Sequence, residues 1–291
     1  MVAANAQEPP ARESPSFKVN VKLVNVYATV TDKNGAPITD LKKEDFSLAE
    51  DGRPEKIAIF EQESDRPLSI VLALDTSSSI RKDFKLVLDS ARRFVSATMR
   101  KQDKLSLYQF AEEVREVVPF TSDFQEIARG IRGLRSGSGT VLFDAVYLAS
   151  KSLLNRDGRK VMVLITDGGD TLSSTSFHEA VRAANLSEAL VYSIIIVPVA
   201  ADPGRDIAGE HALIQLAHDT GGKYYYADSA DSLDAAFQQV SKELRTQYLI
   251  AYYPSPSGTG SDFRKIDVKA ARPGEDLVVR HRAGYYTTKL E

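Results

Sequence analysis

Near the start of the chain, Val19, Val21, Leu23, Val24, Val26, Ala28 and Val30 form a largely alternating, β-branched run. A period of two is the mark of a half-buried strand. Asp32-Lys33-Asn34-Gly35 follows with an Asn-Gly hairpin signal. Leu41 to Phe46 reads as one helical turn, Ser47 to Glu50 as a short extended piece, Asp51-Gly52 as a second turn and Ile57 to Phe60 as a further strand. This much β sequence without helices predicts part of a sandwich.

At Pro67 the period changes. Leu68 to Leu74 is continuously apolar, as expected of a strand buried on both faces of a parallel sheet. Arg81 to Met99 then carries Phe84, Leu88, Ala91, Phe94 and Val95 at helical spacing. Further strands are predicted at Lys104–Phe110, Val114–Phe120, Lys160–Thr166, Leu190–Val197 and Lys223–Ala227. Helices are predicted at Asp123–Leu134, Leu142–Leu154, Phe177–Leu186, His211–Thr220, with Gly221-Gly222 as its stop, and Ser232–Thr246. Strands alternating with helices argue for a doubly wound, mostly parallel sheet.

After Gln247 the helical period disappears. Tyr248–Tyr253, Phe263–Ala270 and Leu277–His281 read as strands, with a Pro/Ser/Gly loop from Pro254 to Ser261. Neither flank has enough strands to be stable alone. The economical architecture is an α/β unit at 66–247 inserted into one β-sandwich built from 17–65 and 248–291; two separate β-appendages are the other arrangement.

The apolar fraction of 43% and charged fraction of 26% are ordinary for a globular chain. Lys+Arg 37 against Asp+Glu 40 leaves a net charge of -3 and no dense basic run, so nucleic acid is a poor partner. Zero cysteines exclude disulfides, thiolate nucleophiles and Cys-ligated metals. The longest apolar stretch, Leu190 to Ala201, is interrupted by Tyr192, Ser193 and Pro198 and falls short of the ~20 residues of a membrane helix. Ala4-Asn5-Ala6 matches the small-x-small pattern before signal-peptidase cleavage, which suggests a signal-peptide remnant at 1–6 and export. Residues 1–16, with Pro9, Pro10 and Pro15 among charges, are expected to be a disordered leader.

Chemistry concentrates where predicted strands end. Asp75-Thr76-Ser77-Ser78-Ser79 follows the first buried strand, and Ser136-Gly137-Ser138-Gly139-Thr140 opens the helix that contains Asp144. Thr166-Asp167-Gly168-Gly169-Asp170 follows a second buried strand. Doubly wound sheets bind ligands outside the carboxyl ends of their strands. All the donors there are hard oxygens, which suit Mg²⁺ or Mn²⁺. If Ser77, Ser79 and Thr140 bind through hydroxyls, few carboxylates neutralise the metal, and a carboxylate from outside is drawn to the remaining position.

Asp75-x-Ser77-x-Ser79, Thr140 before Val141-Leu142-Phe143-Asp144-Ala145, and Thr166-Asp167-Gly168 together resemble the metal-ion-dependent adhesion site of von Willebrand factor A domains. The resemblance covers about residues 66 to 247. It implies that Ser77 and Ser79 ligate the metal directly, and that Thr140, Asp75 and Asp167 act directly or through water. It also implies Mg²⁺, with Mn²⁺ or Ca²⁺ as substitutes, and a protein ligand that offers an Asp or Glu carboxylate, with a glycan as the other candidate. The flanks, with Val30-Thr31-Asp32, Glu44-Asp45-Phe46, Glu50-Asp51-Gly52, Tyr252-Tyr253-Pro254 and Arg280 to Tyr286, resemble the von Willebrand A-related proteins of acidobacterial type. That likeness implies a periplasmic, cell-surface or secreted bacterial protein.

Plainer readings compete residue by residue. Asp75 to Ser79 alone could cap a helix, but three separate loops would then have to imitate a site. Asp144 is expected to brace the Thr140 loop, and Asp170 to be a solvated loop acid or a supporting residue behind the site. Ser79-Ile80-Arg81-Lys82 fits Ser-x-x-Lys, yet the Ser-Asp-Asn and Lys-Thr-Gly elements that accompany it in penicillin-binding enzymes do not occur. His178-Glu179 lacks a second zinc-protease histidine, and His211 and His218 read as surface residues. In the tyrosine doublets one ring is expected in the core and one outside. The expected function is thus a non-enzymatic, metal-dependent adhesion module. The alternatives are a structural envelope module with a vestigial site and a metal-assisted hydrolase.

Overall fold

The computed structural model describes residues 23–63, 66–197, 206–255 and 262–288. The expected leader, the signal-peptide remnant, the strand positions Val19 and Val21 and most of the Pro254–Ser261 loop lie outside the described residues. The chain begins with β1 (Val24–Asp32), a 3₁₀ turn (Lys43–Asp45), β2 (Phe46–Glu50), β3 (Arg53–Pro54) and β4 (Ile57–Glu63). It continues through β5 (Leu68–Asp75), α1 (Phe84–Thr98), β6 (Lys104–Phe110), β7 (Val114–Thr121), α2 (Phe124–Gly133) and α3 (Leu142–Leu154). Then come β8 (Arg159–Thr166), α4 (Phe177–Leu186), β9 (Leu190–Ile196), α5 (Ile207–Thr220), β10 (Lys223–Ala227) and α6 (Ala230–Glu243). It closes with β11 (Gln247–Tyr252), β12 (Phe263–Ala270), β13 (Leu277–Arg280) and β14 (Gly284–Tyr286).

The central sheet has the order β10-β9-β8-β5-β6-β7. All its pairings are parallel except β6 with β7. β5 is buried at every position because helices cover both faces. Ile70, Leu72 and Leu74 point to the layer of α1, α2 and α6, where Phe94 stacks on Phe237 with ring centroids 4.6 Å apart. Val71 and Ala73 point to the layer of α3, α4 and α5. The chain runs outward from β5 through β6 in one direction and from β8 through β9 in the other. The reversal leaves a crevice at the carboxyl ends of β5 and β8.

The flanking strands form two four-stranded antiparallel sheets, β13-β1-β11-β4 and β14-β12-β2-β3. Each takes strands from both ends of the chain, so the two flanks make one sandwich around the α/β unit. Its core joins Val26, Ala28, Tyr248 and Ile250 of one sheet to Leu48, Ile266 and Val268 of the other. Asp51 and Gly52, both with positive φ (48° and 78°), make the tight β2–β3 turn. Where sandwich meets α/β unit, the fully buried Arg159 donates to the carbonyl of Leu244 at 2.7 Å and to the side chain of Gln247. Gln247 passes the link to Thr29 at 3.0 Å.

Local expectations change at several points. β14 is an additional strand, paired with β12. α5 begins at Ile207 rather than His211, because the Asp206 carboxylate accepts the Gly209 N–H and caps the earlier turn. α6 begins at Ala230 because the Ser229 hydroxyl accepts the Ser232 N–H, which places Ser232 inside the helix. Tyr252 is buried beside the exposed Tyr253, and Tyr225 is packed on the core between the exposed Tyr224 and Tyr226. Tyr285 and Tyr286 depart from that pattern, since both are partly buried.

Candidate metal centre

The loop after β5 is held from below. Asp75 is fully buried; its Oδ1 accepts the Ser77 N–H at 2.8 Å and its Oδ2 accepts the Thr166 hydroxyl at 2.7 Å. Burial pushes the Asp75 carboxyl up to about 7, with the nearby Asp167 charge adding to the effect against the hydrogen bonds from Thr166 and Ser77. Ser77, 2% exposed, lies with its Oγ 2.9 Å from the Oγ of the exposed Ser79. The chain here makes a 3₁₀ turn over Ser78–Ile80, and α1 does not start until Phe84, with Asp83 at its cap position. The helix-cap reading of Asp75 to Ser79 therefore fails: Asp75 meets the Ser77 N–H and Thr166, Ser78 meets Ser138, and the Ser77 and Ser79 hydroxyls meet each other, none of them at the end of α1.

The second loop is sewn to the first by the Gly137 N–H, which donates to the Thr76 carbonyl at 2.7 Å, and by the Ser78 hydroxyl, which donates to the Ser138 carbonyl at 3.1 Å. Its last residue, Thr140, is buried, and its backbone pairs with the loop after β8. The Thr140 N–H donates to Thr171 Oγ1 at 3.0 Å, and the Thr171 N–H donates to the Thr140 carbonyl at 2.9 Å. Thr140 is thus tied to the third loop through backbone groups rather than to the other four residues through its side chain.

In the third loop the Thr166 hydroxyl serves twice. It donates to Asp75 and accepts the Gly168 N–H at 3.1 Å. Asp167, partly exposed, accepts the Gly169 N–H at 3.3 Å. Gly168, with φ of 97°, packs so tightly on the start of α5 that a Cβ on Gly209 would stand 1.7 Å from the Gly168 carbonyl oxygen. A helix end therefore clamps the loop that carries Asp167.

The structure places two acids differently from the simplest expectation. Asp144 does not brace the Thr140 loop; its carboxylate accepts the N–H groups of Ser174 and Thr175, at 3.1 and 2.8 Å, in the third loop. Asp170 is not merely solvated: it accepts the Phe143 N–H at 3.3 Å and the Ser173 hydroxyl at 2.5 Å at the start of α3. The two acids lace the start of α3 and the third loop together from opposite sides. Glu179 makes a capping box with Ser176, which explains the His178-Glu179 pair without a metal. Thr171 is the residue that motif reading passes over, and Thr166, part of the quoted motif, carries no role in it; Thr171's only signal is its place four residues past Asp167.

Among the described residues no group of three or more imidazoles and carboxylates stands ready for a metal. The residues expected to hold a metal are Asp75 and Asp167 with the hydroxyls of Ser77, Ser79 and Thr140. This set fits a hard divalent cation. The buried Asp75 carboxylate has hydroxyl and amide donors and a second carboxylate for company. A cation nearby is what would lower its pKa and bring the two acids into balance.

Residues 69–239, more than half of the chain, match the family model of the von Willebrand factor type A domain. No curated protein matches by sequence. Several solved structures share the fold. The conserved hypothetical protein BatB from Bacteroides thetaiotaomicron is 22% identical with a TM-score of 0.50, over 62% of this chain and 100% of that one. A von Willebrand factor type A protein from Catenulispora acidiphila is 13% identical with a TM-score of 0.53, over 92% and 75%. The pilus adhesin SpaC from Lactobacillus rhamnosus GG, in an open conformation, is 12% identical with a TM-score of 0.51, over 86% and 49%. The chain belongs to the von Willebrand factor type A domain family.

Proposed function

We propose that the α/β unit, residues 66–247, is a protein-interaction module of the cell envelope or exterior. It captures an acidic group of a partner, a protein carboxylate before a glycan, through a divalent cation held by Asp75, Ser77, Ser79, Thr140 and Asp167. The observation that carries this reading is the burial of Asp75 at the switch point with Asp167 beside it and the Ser77 and Ser79 hydroxyls turned together. A bound cation, Mg²⁺ or Mn²⁺ by donor chemistry, supplies an electrophilic position for an outside carboxylate. Asp75 holds the Ser77 backbone, and through Thr166 it fixes the strand end that leads to Asp167. With the hydroxyls as direct ligands and Asp75 and Asp167 acting through water, the cation keeps uncompensated charge, which favours an acidic partner over a neutral one.

α6 supports a link from this module to the sandwich. Its last residue, Glu243, pairs with Arg280 of β13 and accepts the Tyr225 hydroxyl at 3.0 Å. A shift of α6 would therefore be felt in the sandwich, and export would present both to an outside partner. The direct test is the thermal midpoint with and without Mg²⁺ or Mn²⁺. A ligand that binds only the folded state must raise it by mass action. No rise with either ion would leave a structural module with a vestigial site.

A further inference from the structure

Asp75 and Phe110 stand opposite each other at the ends of β5 and β6. Beyond them the two chains stay side by side, because the Thr76 N–H donates to the Phe110 carbonyl at 2.9 Å. The turn from β6 into β7, Ala111-Glu112-Glu113, therefore lies at the same rim as the metal-site loops, beside the one that carries Ser77. Its two acids do different things. Glu113 faces Arg115 of β7 and accepts its Nε at 2.6 Å. Glu112 faces the second loop, where its Oε2 accepts the Ser138 N–H at 2.9 Å.

Turn and loop touch closely. A Cβ on Gly137 would stand 2.5 Å from the Ala111 Cβ and closer still to the Glu112 carboxylate, so only glycine lets them meet. Gln109, near the end of β6, adds a second tie: its amide donates to the Arg135 carbonyl at 2.9 Å and to Thr76 Oγ1 at 3.1 Å. Ser138 is held from both sides. Its N–H goes to Glu112, and its carbonyl accepts the hydroxyl of Ser78, the residue between Ser77 and Ser79, at 3.1 Å. Thr140 follows two residues later. With Gly137 and Gly139 on either side, this stretch has much backbone freedom to lose. A carboxylate that accepts a backbone N–H makes one of the stronger hydrogen bonds available to restrain it.

We propose that Glu112 is a positioning residue of the metal centre: from outside the three motif loops it fixes Ser138, and so sets how the Ser77–Ser79 turn stands to Thr140. This rests on the reading of those three residues as cation ligands. The contribution of Glu112 is its hydrogen bond to Ser138, not ligation and not charge.

Calorimetric titration of Mg²⁺ into the full chain and three variants tests it. Glu112→Ala is expected to weaken Mg²⁺ binding about fivefold or more, a part of the worth of a hydrogen bond to a charged group. Because Glu112 is exposed, the thermal midpoint of the metal-free variant is expected to stay within about 2 °C of the wild type. Glu112→Gln keeps an acceptor for the Ser138 N–H and is expected to bind no more weakly than Glu113→Gln, which loses the same charge and leaves the second loop alone. Equal affinity in Glu112→Ala and Glu113→Gln would overturn the assignment while the metal site stood, as would a Glu112→Gln as weak as Glu112→Ala. No heat with Mg²⁺ or Mn²⁺ in the wild type would instead remove the metal site itself, and this role with it.

Discussion

The hydroxyl of Thr166 donates to Oδ2 of Asp75 across 2.7 Å, joining the last residues of two neighbouring parallel strands. Both groups are buried, and the same hydroxyl accepts the Gly168 N–H that shapes the next loop. One side chain therefore couples the two loops that flank the switch point. Thr166→Val keeps the shape but removes both bonds. It is expected to cost about 1–3 kcal/mol of unfolding free energy, the range for a buried group left unsatisfied, and to weaken Mg²⁺ binding. Urea denaturation and metal titration of the variant measure the two effects.

Gly209 is where α5 presses on the Asp167 loop. In Gly209→Ala the new Cβ would collide with the Gly168 carbonyl, which is backbone and cannot swing away. The variant is expected to lose stability by ~1–3 kcal/mol, as in other overpacked sites, and to lose metal affinity with it. Gly133, at the end of α2, meets nothing within 4 Å, so Gly133→Ala is expected to gain a few tenths to about 1 kcal/mol from the stiffer unfolded chain. A paired thermal-melt comparison that ranked the two variants the other way would refute this reading of the clamp.

The sandwich has its own buried acid. Glu50, 3% exposed, accepts from the Tyr252 hydroxyl at 2.7 Å, the Tyr285 hydroxyl at 2.9 Å and Arg264 at 2.6 Å. It thus binds β2 from the start of the chain to β11, β12 and β14 from its end. Tyr252→Phe removes one donor from a buried carboxylate and is expected to destabilise by about 1–3 kcal/mol. Unchanged stability would mean that Tyr285 and Arg264 suffice.

His281 provides the pH dependence. Its Nε2 accepts the Val268 N–H at 3.1 Å and Nδ1 faces the Arg282 carbonyl at 2.8 Å, an arrangement that needs the neutral ring. Burial depresses its pKa below 6.5. The unfolded chain then takes up a proton at a pH where the folded chain does not. The contribution is present above about 6.5 and is lost as pH falls through the lower folded value. The raised Asp75 carboxyl works the other way and favours the fold as pH falls from 7, so between pH 7 and 5 the wild type is expected to gain less unfolding free energy than His281→Gln does. Parallel slopes in the two proteins would contradict it.

Much of this was legible in the chain because burial writes itself into composition. Leu68 to Leu74 could only be a strand covered on both faces, and the oxygen-rich stretch after it fell at a strand end where such folds bind ligands. What escaped reading was set by partners far apart in sequence. Gly284–Tyr286 is too short to signal a strand and is one because β12 lies beside it. Asp144 braces the third loop rather than the Thr140 loop, and Asp170 meets Phe143, because Ser173, Ser174 and Thr175 fold back over α3.

The central claim is that the loops at Asp75, Thr140 and Asp167 hold one divalent cation. Calorimetric titration of Mg²⁺ into the wild type and into Ser77→Ala/Ser79→Ala tests it most directly. A saturable single-site heat in the wild type, weakened tenfold or more in the variant, is the expected result. Equal heats in both proteins, or none in the wild type with either Mg²⁺ or Mn²⁺, would contradict it.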